Sequence, residues 1–220
     1  METMFIEARS ELGIIPPKKS LAQLPKHIGL FTTVQHVHKI DGLKNLLEES
    51  GKKVYLLKGT HSKHQGQAQG CDLFTLKPSK DIEAFLYIGT GEFHPKELLM
   101  LQKKPVYIYN PESKRFYQLD RKEIEQIERR KKGALLKFLS STKIGVLITT
   151  KPGQQNFAAA LKLKEKYPDK EFFLLIADTL DFASLENFPF IECYVNSACP
   201  RIGYDEHENI GKPVVNISDI

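Results

Sequence analysis

Lys143-Ile144-Gly145-Val146-Leu147-Ile148-Thr149-Thr150 echoes Lys26-His27-Ile28-Gly29-Leu30-Phe31-Thr32-Thr33, and that echo decides the fold. Each copy is a continuous apolar run of strand length, the pattern of a strand buried on both faces. Glutamine follows each: Gln35 after the first, Gln154 and Gln155 after the second. Beyond the first copy, Val37, Ile40, Leu43, Leu46 and Leu47 recur at helical spacing and Gly51 supplies a stop. Residues 54–57, 84–88 and 106–109 read as further strands, with a short helix over 96–101. The second copy is followed in the same order by a helix over 154–167 and strands over 172–176 and 190–195. A charged segment over 120–139, with Ile124, Ile127, Leu135, Leu136 and Phe138, reads as a long helix joining the two. The period, about 117 residues, is too long for a solenoid and suits a duplicated small domain. The expected fold class is therefore α/β: two similar small domains, residues 1–120 and 121–220, each a mainly parallel sheet flanked by helices.

Composition narrows the function classes. The 220 residues hold 32 basic and 27 acidic side chains, a net charge of +5. That excess is too mild to argue for nucleic acid. Its densest run, Arg129-Arg130-Lys131-Lys132, sits on a charged helix with no interleaved aromatic residues to stack on bases, so no direct nucleic-acid contact is expected. No run approaches the roughly 20 apolar residues of a membrane span, and no secretory signal opens the chain, so no membrane contact and a cytoplasmic location are expected. The three cysteines, Cys71, Cys193 and Cys199, have neither disulfide-framework nor zinc-finger spacing. Residues 4–8 read as an opening strand with no helix before it, which suggests an upstream domain missing from the chain.

In parallel α/β sheets ligands gather outside the carboxyl ends of the strands. Cys71 falls in the loop after the second strand of the first copy, and Cys199 in the loop after the third strand of the second. The stretch Tyr194-Val195-Asn196-Ser197-Ala198-Cys199-Pro200-Arg201-Ile202-Gly203 puts a thiol at a strand end with a guanidinium two positions on, which suits metal, anion or nucleophilic chemistry. Soft thiolates from separate loops favour zinc or an iron–sulfur cluster. Cys193 lies inside an apolar strand and reads as core. His36, His38, His61, His64 and His94 could ligate zinc or shuttle protons, but none has the spacing of a helical HExxH site.

Gly66-Gln67-Ala68-Gln69-Gly70-Cys71-Asp72, Tyr87-Ile88-Gly89-Thr90-Gly91-Glu92-Phe93-His94-Pro95 and Val195-Asn196-Ser197-Ala198-Cys199-Pro200-Arg201-Ile202 resemble the archaeal diphthamide-synthesis radical enzymes, the 2-(3-amino-3-carboxypropyl)histidine synthases. The two Ile-Gly…Thr-Thr strands, one running into Gln35-His36-Val37-His38, add to a likeness that spans the chain. The resemblance implies three similar α/β domains, each giving one cysteine to a [4Fe–4S] cluster whose fourth iron is open to S-adenosylmethionine. It implies cleavage of the bond between sulfur and the methionine γ-carbon, and addition of the resulting 3-amino-3-carboxypropyl radical to a histidine of translation elongation factor two. This transfer is the first step of diphthamide biosynthesis. A homodimer is implied for the full-length enzyme. By motif, Cys71 matches the second domain's cysteine and Cys199 the third's, while Gln154, Gln155, Arg201 and the His36 region are the candidates for holding S-adenosylmethionine.

The first domain of the family and its cysteine are missing from the match. The chain is therefore expected to be an inactive two-domain fragment in which the cluster is absent or incomplete. A non-catalytic two-domain binding or assembly partner in the same pathway is the alternative. Without the resemblance, Cys71, Cys199 and a histidine would suit a zinc-dependent hydrolase.

Overall fold

Gly29 and Gly145 show why the repeated stretch is a central strand. A computed structural model describes residue 4 and residues 6–73, 76–204 and 207–220, with the side chains of residues 71, 72, 207 and 208 outside the description. A Cβ on Gly29 would lie 2.5 Å from the Phe85 ring, and one on Gly145 would lie 2.6 Å from the Tyr194 ring. In each copy the missing side chain lets an aromatic ring from the next strand lie flat across the sheet. Ile82 flanks the first pair and Ile191 the second.

The chain divides into two compact units, Met1–Ile124 and Glu125–Ile220. The first holds strands β1 (His27–Thr32), β2 (Lys53–Tyr55), β3 (Ala84–Ile88), β4 (Val106–Asn110) and β5 (Arg115–Gln118), in the order β2-β1-β3-β4-β5. All neighbours run parallel except β4 and β5. Its helices are α1 (Lys18–Leu21), α2 (Ile40–Glu49), α3 (Gly70–Leu73) and α4 (Phe93–Gln102), and the division between units falls within α5 (Lys122–Ser140). The second unit holds β6 (Lys143–Thr149), β7 (Glu171–Ala177), β8 (Cys193–Asn196) and β9 (Val214–Asn216), ordered β7-β6-β8-β9 and wholly parallel. Around it lie α6 (Phe157–Lys166), α7 (Arg201–Tyr204) and α8 (His207–Ile210). The order β2-β1-β3-β4 of one sheet is the order β7-β6-β8-β9 of the other, so the α/β class and the duplication hold.

Both faces of each sheet are covered. In the first unit Ile28, Leu30, Leu43 and Leu47 fill one layer, while Phe31, Phe85, Tyr87 and Leu98 fill the other. Leu43 and Leu47 of α2, four residues apart, are fully buried, each worth roughly 1.5–3 kcal/mol. Val146, Ala160 and Phe138 form one layer of the second unit, and Leu147, Leu185 and Tyr194 the other.

The amino-terminal rims repeat a set of charged clasps. Glu83 accepts a hydrogen bond from the His27 amide at 2.9 Å, and Glu192 accepts from the Thr142 and Lys143 amides at 2.7 and 2.8 Å. Lys52 donates to the Leu24 carbonyl and Lys170 to those of Leu139 and Ser141. Lys104 donates to the Ile82 carbonyl and Lys212 to that of Ile191. These clasps tie the strand starts together and leave the carboxyl edges to the loops.

Two expectations need correction. Residues 4–8 do not form a strand among the described residues, and Phe5 lies outside them; Met4 and Ile6 are exposed and no neighbouring strand pairs with the segment. Side chains hold this arm instead: Glu7 meets His64 at 2.7 Å and Lys63 at 2.9 Å, the Ser10 amide donates to Gln35, and Ile14 is buried. The helix after β6 starts at Phe157, not Gln154, because Pro152 and Gly153, the latter at φ 77°, turn the chain first. In addition, β5 falls in a stretch to which the sequence reading assigns no element; Asn110 accepts from the Glu112 and Ser113 amides and Lys114 takes φ 55°, closing a hairpin.

The arm carries a pH dependence. Hydrogen bonds from His64 and then Lys63 hold the Glu7 carboxyl down to about 2 from its ordinary 4.5. A depressed carboxyl contributes its stability above the unfolded value and loses it as pH falls through the folded one. Wild type should therefore lose more stability than Glu7→Gln between about pH 4.5 and 2, read from paired urea titrations. Identical pH profiles would contradict the arm's attachment.

Candidate functional site

Two buried asparagines set the geometry of the Cys199 loop in the second unit. Asn196, at the end of β8, donates through Nδ2 to the Cys199 carbonyl at 2.9 Å and to Asn216 Oδ1 at 2.7 Å, and accepts the Ala198 amide at 3.0 Å. Asn216, at the end of β9, donates in turn to the Pro200 carbonyl at 3.0 Å. The Ser197 hydroxyl donates to the Leu147 carbonyl of β6. The loop's backbone is thus fixed to three strand ends. Gly203 completes the seat, since a Cβ there would fall 2.6 Å from Asn216 Oδ1. Cys199 is a free, half-buried thiol carried on this platform.

Gln154 and Gln155 lie exposed in the turn after β6, and Arg201 opens α7 immediately after the cysteine loop. All three occupy the carboxyl edge of the second sheet, as does Cys199. The two glutamines precede α6, so the expectation that they sit at a helix start is displaced by about one turn.

The first unit builds its edge differently. Residues 66–68 run alongside the end of β1: the Thr32 amide donates to the Gly66 carbonyl at 2.8 Å and the Ala68 amide to the Thr32 carbonyl at 2.7 Å. This short parallel bridge leads straight into α3, which bears Cys71; the Cys71 side chain lies outside the described residues. Gly66 takes φ 72°, and a Cβ there would sit 2.5 Å from Ile40 Cδ1 and 3.3 Å from the Leu30 carbonyl oxygen. Gly66→Ala should cost roughly 2–4 kcal/mol from combined backbone strain and overpacking, and a chemical-denaturation midpoint would register it. A wild-type midpoint would show that the loop adapts.

His36 follows β1 on the same edge. It is 2% exposed and its Nδ1 meets no hydrogen-bond partner among the described residues. Burial, then the charges of Lys39 and His38, pushes its pKa below the ordinary imidazole value, so the ring is neutral. His94, by contrast, stands 3.4 Å from the Tyr87 hydroxyl, and His64 is committed to Glu7.

The donors available to an iron–sulfur cluster are few. Among the described residues no group of three His, Cys, Asp or Glu side chains could hold a metal ion. Cys193 is fully buried in β8, and burial pushes its thiol up to about 12, so the thiolate a metal needs is disfavoured. It occupies the position of Ala84 in the first sheet: Ile28 is registered with Ala84, and Ile144 with Cys193. Cys193 is core, as expected. Cys199 fits, being a free thiol outside the core on a fixed loop. What sequence reasoning missed is the asparagine pair, although Val195-Asn196 and Val215-Asn216, each ending an apolar run, were its visible signal.

Fold and site together define a duplicated α/β protein with a thiol-bearing loop at the ligand edge of its parallel sheet. The chain belongs to the diphthamide synthesis protein family, whose profile matches residues 1–220. A relative from Pyrococcus horikoshii named 2-(3-amino-3-carboxypropyl)histidine synthase is 30% identical over 226 residues, covering 99% of this chain and 64% of the relative. The crystal structure of Dph2 from Pyrococcus horikoshii superposes with a TM-score of 0.80 at 28% identity, covering 96% of this chain and 62% of that one. The crystal structure of Dph2 from Pyrococcus horikoshii with a 4Fe-4S cluster gives 0.76 at 30% identity, over 91% and 58%. The chain spans less than two thirds of the length of these relatives.

Proposed function

We propose that the chain serves in transfer of a 3-amino-3-carboxypropyl group from S-adenosylmethionine to a histidine of translation elongation factor two. The observation that carries this reading is the Cys199 thiol, fixed at a sheet's carboxyl edge in a family with a cluster-bearing member. When bound, a [4Fe–4S] cluster would supply the electron that cleaves the sulfur–carbon bond and an open iron site for the donor. Cys199 and Cys71 would be two of its thiolate ligands, the third coming from a further domain of the enzyme. Arg201 would pair with the methionine carboxylate, since a guanidinium binds carboxylates in a fixed fork. The neutral His36 ring and the amides of Gln154 and Gln155 would contribute neutral hydrogen bonds to the same ligand. Membership in the family also supports a homodimeric enzyme working in the cytoplasm.

The test is anaerobic reconstitution of the chain, alone and together with the remaining domain of a full-length relative, with iron and sulfide. Reduction in the presence of S-adenosylmethionine and elongation factor two follows, with mass spectrometry of the factor. Aminocarboxypropyl-histidine should appear only when that further domain is present. Folded, complete protein that takes up no cluster and yields no product would overturn the reading.

A further inference from the structure

Each cysteine-bearing segment contains a glycine through which a buried polar side chain reaches its backbone. In the second unit that glycine is Gly203, where a Cβ would fall 2.6 Å from Asn216 Oδ1. In the first it is Gly70, which opens α3 and directly precedes Cys71; a Cβ there would lie 3.4 Å from Glu97 Oε2 and 2.9 Å from the Phe93 ring. Phe93 and Glu97 stand four residues apart on α4, so they share one face of that helix, and α4 packs against α3. Glu97 is 1% exposed and is the one buried acid among the described residues. The acids that clasp the strand starts, Glu83 and Glu192, are not buried. On α4 the residues that follow, Leu98 and Leu99, are ordinary core. A carboxyl is costly to bury and persists in an interior only where hydrogen bonds hold it.

We propose that Glu97 is a positioning residue for Cys71, its buried carboxyl holding the start of α3 and so fixing the backbone that presents the thiol. Such a brace is needed because α3 has only four residues, and a single helical turn does not hold itself. The bridge at residues 66–68 fixes the chain entering α3, but it ends before the turn begins. Glycine at position 70 is what admits the carboxyl to the backbone, whose N–H groups are the donors within its reach. Glu97 thus does for Cys71 what the Asn196–Asn216 pair does for Cys199, with a different side chain reaching in from a helix instead of a strand end. The inference deepens the reading of Cys71 as a cluster ligand and rests on it.

Glu97→Leu keeps an apolar side chain in the site and removes the acceptor, whereas Glu97→Gln keeps an acceptor oxygen. Hydrogen exchange of the full chain should show the amides of residues 70–73 exchanging at least about 10-fold faster in Glu97→Leu, with those of β1 and β8 unchanged and most of the protection restored in Glu97→Gln. After anaerobic reconstitution together with the remaining domain of a full-length relative, Glu97→Leu should release iron to a chelator at least about 10-fold faster than wild type, and Glu97→Gln close to the wild-type rate. Leu47→Ala, a core deletion in the other layer of the same unit, controls for lost stability and should release iron at the wild-type rate. Unchanged α3 exchange in Glu97→Leu, or iron release no faster than in Leu47→Ala, overturns the inference. Wild type that takes up no cluster while α3 exchange rises in Glu97→Leu overturns the reading of Cys71 as a ligand instead.

Discussion

On the proposed function, Cys199→Ala is expected to eliminate stable cluster binding, and with it the proposed transfer, while leaving the fold almost untouched. The thiol is half-buried on a loop outside the core clusters, so its removal should shift unfolding by under about 1 kcal/mol. Loss of a direct ligand should exceed the roughly 10–100-fold that outer-shell changes cost in metal affinity. Cys193→Ala should do the reverse. It deletes a fully buried sulfur at a cost of about 1–2 kcal/mol and leaves iron uptake unchanged, since Ala84 already serves at the matching position of the first sheet. Iron and sulfide content after anaerobic reconstitution together with the remaining domain of a full-length relative, set beside urea midpoints, separates the two cysteines. Retention of a full cluster by Cys199→Ala would remove the site from this loop.

The sequence made the sheets legible because their central strands are unmixed apolar runs, and an Ile-Gly pair starting each made the duplication visible. The glycine had a cause that pattern alone did not reveal: it makes room for Phe85 in one sheet and Tyr194 in the other. Cys71 and Cys199 could be assigned to ligand edges because parallel sheets constrain where loops gather. What escaped was set by side chains acting on backbone over long separations. The opening arm looked like a strand from its apolar residues, but with no partner strand it is tied by Glu7, Lys39 and Ile14. The β5 hairpin depends on Lys114 in a left-handed conformation, which a lysine does not advertise. The helix boundary at Phe157 moved because Pro152-Gly153 turns the chain before Gln154 and Gln155 can enter a helix.

The Asn196–Asn216 pair shows how the sheet positions the thiol, and Asn196 is where that dependence is most exposed to test. Asn196→Ala removes three hydrogen bonds at once and strands Asn216 Oδ1 in a site that is 3% exposed. The expected cost is roughly 2–4 kcal/mol, since an unsatisfied buried group pays its desolvation in full and the network is lost together. Asn196→Asp should be worse at neutral pH although it is nearly the same shape. Its carboxylate can still accept the Ala198 amide, but the former Nδ2 position then faces the Cys199 carbonyl and Asn216 Oδ1, two acceptors, with negative charge in a buried site. Protonation restores a donor there. Burial raises that carboxyl's pKa above its unfolded value, so Asn196→Asp should regain stability relative to Asn196→Ala as pH falls through the raised value. Urea midpoints of the two variants across pH give the crossing directly. The same proteins should hold iron less well than wild type even where they are folded, because the loop that presents Cys199 has lost its tie to β8. A variant that is destabilised yet binds the cluster with wild-type affinity would show that the asparagines stabilise the sheet without positioning the thiol.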